Sequence, residues 1–334
     1  MIRFFNPALT YEKHKDEFDA AYQRVMSTGR LVGPEQPDVL EFEKNLAAFT
    51  GKKYAVALNS GTDALYLSLK ALGIKEGDEV IVSSHTFVAS LQVVAQLGAF
   101  PVQVDLGEDW TSYISSRTKA VIPCHIAGEV LNWRPVEGIP MVDDSCQALG
   151  ASGLQGIIQC WSFYPAKILG AFGDSGGITT DDEKLARDIK DLGNHWKSDY
   201  SKWGINSRMD NLQAAFLNVR MKYLPEAIKR REEIANLYRG GLHTTEGEFD
   251  LTFRMGPVGR VYQDFIVQLS NRDSLFDYLK EKGIETMKNE YPFPVLKRSK
   301  AFDFESHSLR LPCNENLSDA EVQTVIDAVN SYAI

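Results

Sequence analysis

Cysteine is scarce in this chain. Four residues, Cys124, Cys146, Cys160 and Cys313, are dispersed over 334 positions with no CxxC pair, which removes a disulfide framework and leaves reduced, mostly buried thiols as the expectation. The six histidines are equally scattered. With no HExxH and no Cys/His cluster, metal catalysis has no foothold. Lys and Arg form no sustained block, and the formal net charge is −9; this argues against a nucleic-acid partner, whose phosphates leave an electrostatic footprint on the protein. No run of about 18 apolar residues occurs, and the opening stretch MIRFFNPALTYEKHKDEFD lacks the basic region, apolar core and cleavage site of a secretory signal. A cytoplasmic location with no membrane partner is therefore expected. Also missing are a GxGxxG after the first strand of the sheet and a GxxxxGKS/T anywhere, which disfavours a simple nucleotide-binding α/β protein.

What is present is an ordinary globular composition, 44% hydrophobic and 24% charged, in a chain long enough for two domains. Residues 1–50 carry apolar side chains at helical spacing over Glu12–Ser27 and Gln36–Thr50, separated by the breaker-rich link Gly29-Arg30-Leu31-Val32-Gly33-Pro34. From Tyr54 the rhythm changes to short apolar runs alternating with helical segments. Strands are expected at Tyr54–Leu58, Glu79–Ser83, Val102–Asp105, Ala120–Pro123, Met141–Asp143, Cys160–Tyr164 and Gly177–Thr180, with helices over Thr62–Leu72 and Phe87–Leu97. Such alternation is the signature of an α/β domain with a mostly parallel sheet, whose ligands sit at the carboxyl ends of the strands. After a helix at Asp181–Gly193 comes a polar, Trp-rich loop, His195–Arg208, long enough to suggest contact with a partner chain or ligand. A long helical region from Met209 to about Leu242, interrupted near Pro225, then leads into an α+β remainder from about Gly247. That remainder is expected to hold a strand at Val261–Leu269, a helix at Arg272–Lys282 and a final helix at Asp319–Tyr332, opened by a Ser318/Glu321 capping box.

Four stretches at strand ends carry the chemistry. In WSFYPAKILGAFGDSGG, Trp161–Gly177, a lysine, Lys167, precedes Gly170, Gly173, Gly176 and Gly177; glycines this dense let a backbone turn sharply or approach a ligand closely. Lys167 is either a reactive amine or a solvated loop residue. In Asn59–Leu65 a strand ends, a small-residue turn follows and a helix begins. Its free N–H groups and dipole suit a phosphate, although Ser60, Thr62 and Asp63 are equally good as plain caps. In Ser83–Ala89, Phe87 at a helix start either faces a ring-shaped ligand or plugs the core. In Met141–Ala148, Asp143 and Asp144 end an apolar strand, and their side chains should point to opposite faces, one into a site and one away.

Taken together these stretches resemble the DegT/DnrJ/EryC1/StrS family of pyridoxal-phosphate sugar aminotransferases. GRLVGPE, NSGTDAL, HTFVAS, PCHIAG, DDSCQALGA, WSFYPAKILGAFGDSGG, GINSRMDNLQAA and LRLPCNENLS occur in family order over nearly the whole chain. The resemblance implies the α/β type I (aspartate-aminotransferase) fold, with a large, mostly parallel-sheet domain over residues 1–222 and a spacer helix plus smaller α+β domain over 223–334. It implies pyridoxal 5′-phosphate (PLP), cycling with its pyridoxamine form (PMP), as cofactor. Lys167 is similar to the lysine that forms the internal aldimine, Asp144 to the carboxylate paired with the pyridinium nitrogen, and Gln147 to the side chain near the 3-hydroxyl. Gly61, Thr62, Asp63 and Ser162 match the phosphate cup, and Phe87 the aromatic stacked on the ring. Asn206 corresponds to a residue reaching the phosphate from the other subunit, which implies a homodimer with shared active sites. The implied reaction is a ping-pong transfer of an amino group from an amino acid, L-glutamate by family analogy, to a nucleotide-linked keto-deoxysugar. A same-fold aminotransferase of a cyclitol or other cyclic ketone, and a non-catalytic PLP-binding regulatory protein, are the alternatives. Two departures bear on the substrate: Asn289-Glu290-Tyr291-Pro292 puts Glu290 where many relatives carry His, and Asp105–Ser116 is shorter than usual. Arg208, Arg30 and Lys202 are candidate compensating cations, or ordinary surface groups.

Overall fold

A computed structural model describes residues 1–243, 259–289 and 299–332. In chain order the elements are α1 (Pro7–Lys13), α2 (Lys15–Thr28), α3 (Pro37–Thr50), β1 (Tyr54–Leu58), α4 (Gly61–Ala71), β2 (Glu79–Ser83), α5 (Ala89–Gln96), β3 (Phe100–Val104), β4 (Thr118–Ile122) and β5 (Val142–Asp144). They continue with β6 (Ile158–Ser162), β7 (Gly176–Thr180), α6 (Glu183–Gly193), α7 (Asn211–Met221), α8 (Leu224–Gly241), β8 (Phe265–Gln268), α9 (Arg272–Glu281), α10 (Lys300–Ser306), β9 (Ser308–Leu311) and α11 (Asp319–Tyr332).

The large sheet runs β3-β2-β4-β5-β6-β7-β1. Strands β1-β7-β6-β5 and β3-β2-β4 are each hydrogen-bonded, and parallel bridges at Val121–Met141 and Cys124–Asp144 join the two groups. Among the described strands of this sheet, only β7 runs against the rest. Both faces are covered, so the strands read as continuous apolar runs such as Val80-Ile81-Val82, fully buried. Helix α4 packs Ala64, Leu65, Leu67 and Leu69 into the same cluster as Leu58, Val80 and Val82. Each such leucine contributes about 1.5–3 kcal/mol on burial.

A second core gathers β8, β9, α9 and α11 around Tyr238 of α8, with Leu275, Leu279, Val322 and Val325 wholly enclosed. Ile2 belongs to this cluster and pairs with Ile284, so the first residues of the chain are attached to its last third. The shortfall from the expected Val261–Leu269 strand comes from Tyr262 to Asp264. Their carbonyl and side-chain groups bond to Arg231, the Lys167 loop and Arg310, and leave the ladder. Among the described residues no helix is long and apolar enough to cross a membrane.

Candidate active site

The carboxyl ends of β1, β2, β4, β5 and β6 converge on a cavity of about 610 Å³ that both Asp144 and Lys167 line. Asp144 ends β5 and is buried. Its Oδ2 accepts a hydrogen bond from Ser90 Oγ at 2.6 Å, itself bonded by Thr86 Oγ1 at 2.8 Å, and its Oδ1 accepts from the Cys146 N–H at 3.3 Å. These donors are neutral, and among the described residues no basic side chain pairs with the carboxylate. A buried carboxylate calls for a cationic partner, so a protonated ring nitrogen in the cavity fits. The strand's pleat sends Asp143 the other way. It is wholly buried, takes the Gly156 N–H at 2.8 Å, and lies 3.5 Å from His125 Nε2 without hydrogen-bond geometry.

The anion end of the cavity is the start of α4. Ser60 caps it, its Oγ accepting from the Asp63 N–H at 3.0 Å, and the Ala64 N–H goes to the Ser60 carbonyl. That leaves the Gly61 and Thr62 N–H groups, in a positive helix N-terminus, for a phosphate. Two glycines allow the approach without any positive φ. A Cβ on Gly61 would lie 2.8 Å from both Cys146 Sγ and Ser162 Cβ, and one on Gly176 would lie 2.1 Å from the Ser60 carbonyl carbon. Ser162 reaches the same cavity from β6, whereas the Asp63 side chain is not part of the lining; Asp63 serves the turn through its N–H.

Lys167 follows β6 on a turn closed by its own N–H to the Tyr164 carbonyl at 2.8 Å. Its amine forms no hydrogen bond or ion pair among the described residues. Gln147 accepts the Ala127 N–H at 2.7 Å on its Oε1, so its NH₂ group is left to donate into the cavity. The supplying residue, Ala127, is held at φ 55°. Phe87 is 59% exposed at the cavity rim, so it is not a core plug. Burial, followed by the charge of Asp144, pushes the Cys146 thiol well above its usual range, with Lys167 opposing, so the thiol stays neutral beside the lysine.

Asn206 does not line this cavity. It is exposed in a separate depression with Val32, Asn59, Arg208 and Asp210. Of the candidate cations, Arg208 bonds Asn194 at 2.9 Å and Lys202 lies 4.1 Å above the Trp196 ring. Glu290 lies outside the described residues. Sequence reasoning missed several of the lining groups: Phe4, His125, Gln263 and Asp264; Asn289, which also lines the cavity, was noted only as the start of the Asn289–Pro292 run. Asp264 is backed by a buried chain in which Arg310 contacts it at 3.4 Å and grips Glu305 at 2.8 and 3.0 Å, with His85 Nε2 at 2.6 Å from the same carboxylate. As sequence, His85 and Arg310 stood only as letters of the HTFVAS and LRLPCNENLS motifs, and nothing about His85 alone signalled a partner 220 residues away.

The DegT/DnrJ/EryC1/StrS aminotransferase family matches residues 12–330. The chain belongs to that family, and is a PLP-dependent aminotransferase of the type I fold. It is 35% identical to a dTDP-3-amino-3,4,6-trideoxy-alpha-D-glucose transaminase of Streptomyces venezuelae, covering 99% of this chain and 96% of the relative. It is also 35% identical to a UDP-2-acetamido-2-deoxy-3-oxo-D-glucuronate aminotransferase of Pseudomonas aeruginosa, over 91% and 89% of the two chains. The crystal structure of S. venezuelae DesV in complex with a ketimine intermediate superposes with a TM-score of 0.88 at 34% identity, covering 99% of this chain and 98% of that one.

Proposed function

We propose that this chain moves the amino group of an amino acid, L-glutamate first among candidates, to the keto carbon of a nucleotide-linked deoxysugar, working as a cytoplasmic homodimer. The carrying observation is that a lysine amine and a carboxylate with no ionic partner among the described residues, and the free N–H groups of a helix N-terminus, open on one cavity. When bound, PLP supplies the electron sink for the charge left as a Cα–H bond breaks. Asp144 holds the proton on the ring nitrogen, and each pKa unit it adds there is worth about 1.4 kcal/mol. The Gly61 and Thr62 N–H groups with Ser162 would bind the phosphate, Phe87 at the rim would cover the ring, and the Gln147 NH₂ group would donate to the ring hydroxyl oxygen. The Lys167 amine would take the proton from Cα and deliver it to the carbon on the far side of the amino nitrogen, as general base and then acid.

The nucleotide-sugar acceptor is supported by both relatives, whose names carry dTDP- and UDP-linked sugars. The dimer is supported by the exposed Asn206 and by the solvent-facing Tyr200 and Trp203, the latter 90% exposed, on the loop that precedes it. Purified protein mixed with PLP should show the absorbance of lysine-bound cofactor, and L-glutamate should convert it to that of the aminated cofactor. Lys167→Ala should abolish the first band. A wild-type protein that binds PLP and shifts with no amino donor would overturn the assignment.

A further inference from the structure

Lys167 can move a proton between the two carbons that flank the transferred nitrogen only if its backbone stays still while its amine is released and recaptured. The groups that hold that backbone come from outside its own turn. Gln263 lies just before β8, is buried, and faces the cavity. Its Oε1 accepts the Ile168 N–H at 3.1 Å, and its Nε2 donates to the Ala166 carbonyl at 2.8 Å. A single primary amide therefore spans Lys167, bonding the residue before it and the residue after it. Geometry of this kind fixes the direction of the Cα–Cβ bond between the two held groups, because both flanking peptide planes are pinned.

A second brace closes on the same loop from behind. Arg220 of α7 donates from Nη1 to the Gly170 carbonyl at 2.6 Å and from Nη2 to the Ile168 carbonyl at 3.1 Å. Its Nη2 also meets Glu315 Oε1 at 2.9 Å. Glu315 in turn receives Arg231 of α8 on its other oxygen at 2.7 and 3.0 Å. Arg231 then donates to the Gln263 carbonyl at 3.0 Å. The circuit is closed: lysine loop, Arg220, Glu315, Arg231, Gln263 and back to the lysine loop. Every member is buried or largely so, and water has little room to compete for these bonds.

We propose that Gln263 is a positioning residue for Lys167: its amide, itself anchored through Arg231 and Glu315, sets where the lysine amine lies between the two carbons it serves. This rests on the reading of Lys167 as the reactive amine. The clamp can be read without any cofactor. The Ile168 amide, protected by Gln263 Oε1, should exchange with solvent about tenfold faster in Gln263→Ala than in wild type, the effect of losing one hydrogen bond. In the PLP-loaded protein the same variant should move the pH titration midpoint of the lysine-bound cofactor band by about one unit. It should also slow the single-turnover reaction with L-glutamate about tenfold while leaving the half-saturating concentration within about twofold.

Gln263→Glu keeps an acceptor for the Ile168 N–H but sets a carboxylate against the Ala166 carbonyl. Exchange at Ile168 should stay slow in that variant while the titration midpoint still moves. If Gln263→Ala does not fold, Gln263→Glu decides the matter on the same readouts. A Lys167→Ala control separates the two ways of failing. Retention of the band in Lys167→Ala overturns the lysine assignment and the positioning role with it. Loss of the band there, with Gln263→Ala or Gln263→Glu titrating and turning over as wild type does, overturns the positioning role alone.

Discussion

At the scale of single residues the site is a set of charges and donors gathered on one cavity. Asp144 is provided with hydroxyl and amide donors but, among the described residues, no cation, so Asp144→Asn, which keeps the shape and loses the charge, should still bind PLP. It should slow the half-reaction by at least a hundredfold, within what one electrostatic group contributes in catalysis, as stopped-flow absorbance will measure. Away from the cavity, Glu305 shows the same physics in stability. Burial would raise its carboxyl, but Arg310 and His85 prevail and take it from 4.5 to about 2. Its pKa is depressed on folding, so the unfolded chain binds the extra proton and stability rises with pH. The contribution, about 3 kcal/mol, is complete above pH 4.5 and lost as the pH falls toward 2. Chemical denaturation across that window should show Glu305→Gln with a shallower acid limb than wild type. What could be read from sequence at this scale was Lys167 and Asp144, tied to strand ends, and, through the family resemblance, Gln147 and Ser162; all four line the cavity. Gln263 could not be read, because nothing local distinguishes one glutamine among polar neighbours, and the Ile168 N–H it holds lies 95 residues away.

At the scale of elements, strands bounded by turns were legible and strand direction was not. β1 and β2 fall at the expected residues because polar or small residues stop an apolar run at each end. The antiparallel insertion of β7 carries no such mark, since a buried strand reads alike in both directions. That insertion has a purpose in the site. It brings Gly176 against the cap of α4, where a methyl group would meet the Ser60 carbonyl carbon at 2.1 Å. Gly176→Ala must push α4 away from the sheet and should cost about 2 kcal/mol or more. Because the displaced atoms carry the phosphate-binding N–H groups, PLP affinity should fall with stability, measured by cofactor titration beside thermal melts. Gly29→Ala, at a left-handed helix end with open space around it, should cost about 1 kcal/mol and leave PLP affinity unchanged.

At the scale of the whole molecule, the two ends of the sequence are built into one another. Asn206 and the exposed Trp203 loop face outward, and Trp203→Ala should shift the molecule toward a smaller species in sedimentation velocity. The sequence made that loop conspicuous through its length and tryptophans; in the proposed dimer, the surface it meets would be set by a second chain. The opposite is true of the first few residues, which look unremarkable as letters. Phe4 lines the cavity, its N–H bonds Glu285 across 281 residues, and Asn314 holds the Arg3 and Phe4 carbonyls. During synthesis, then, this segment leaves the ribosome long before its partners exist. A nascent chain can complete the sheet around β1 to β7 early and still have no finished pocket wall until the last third has been translated and has folded back onto its beginning. Refolding followed by far-ultraviolet dichroism should therefore run ahead of the recovery of the PLP band, with the lag lengthened by Ile2→Ala, which weakens the closing contact.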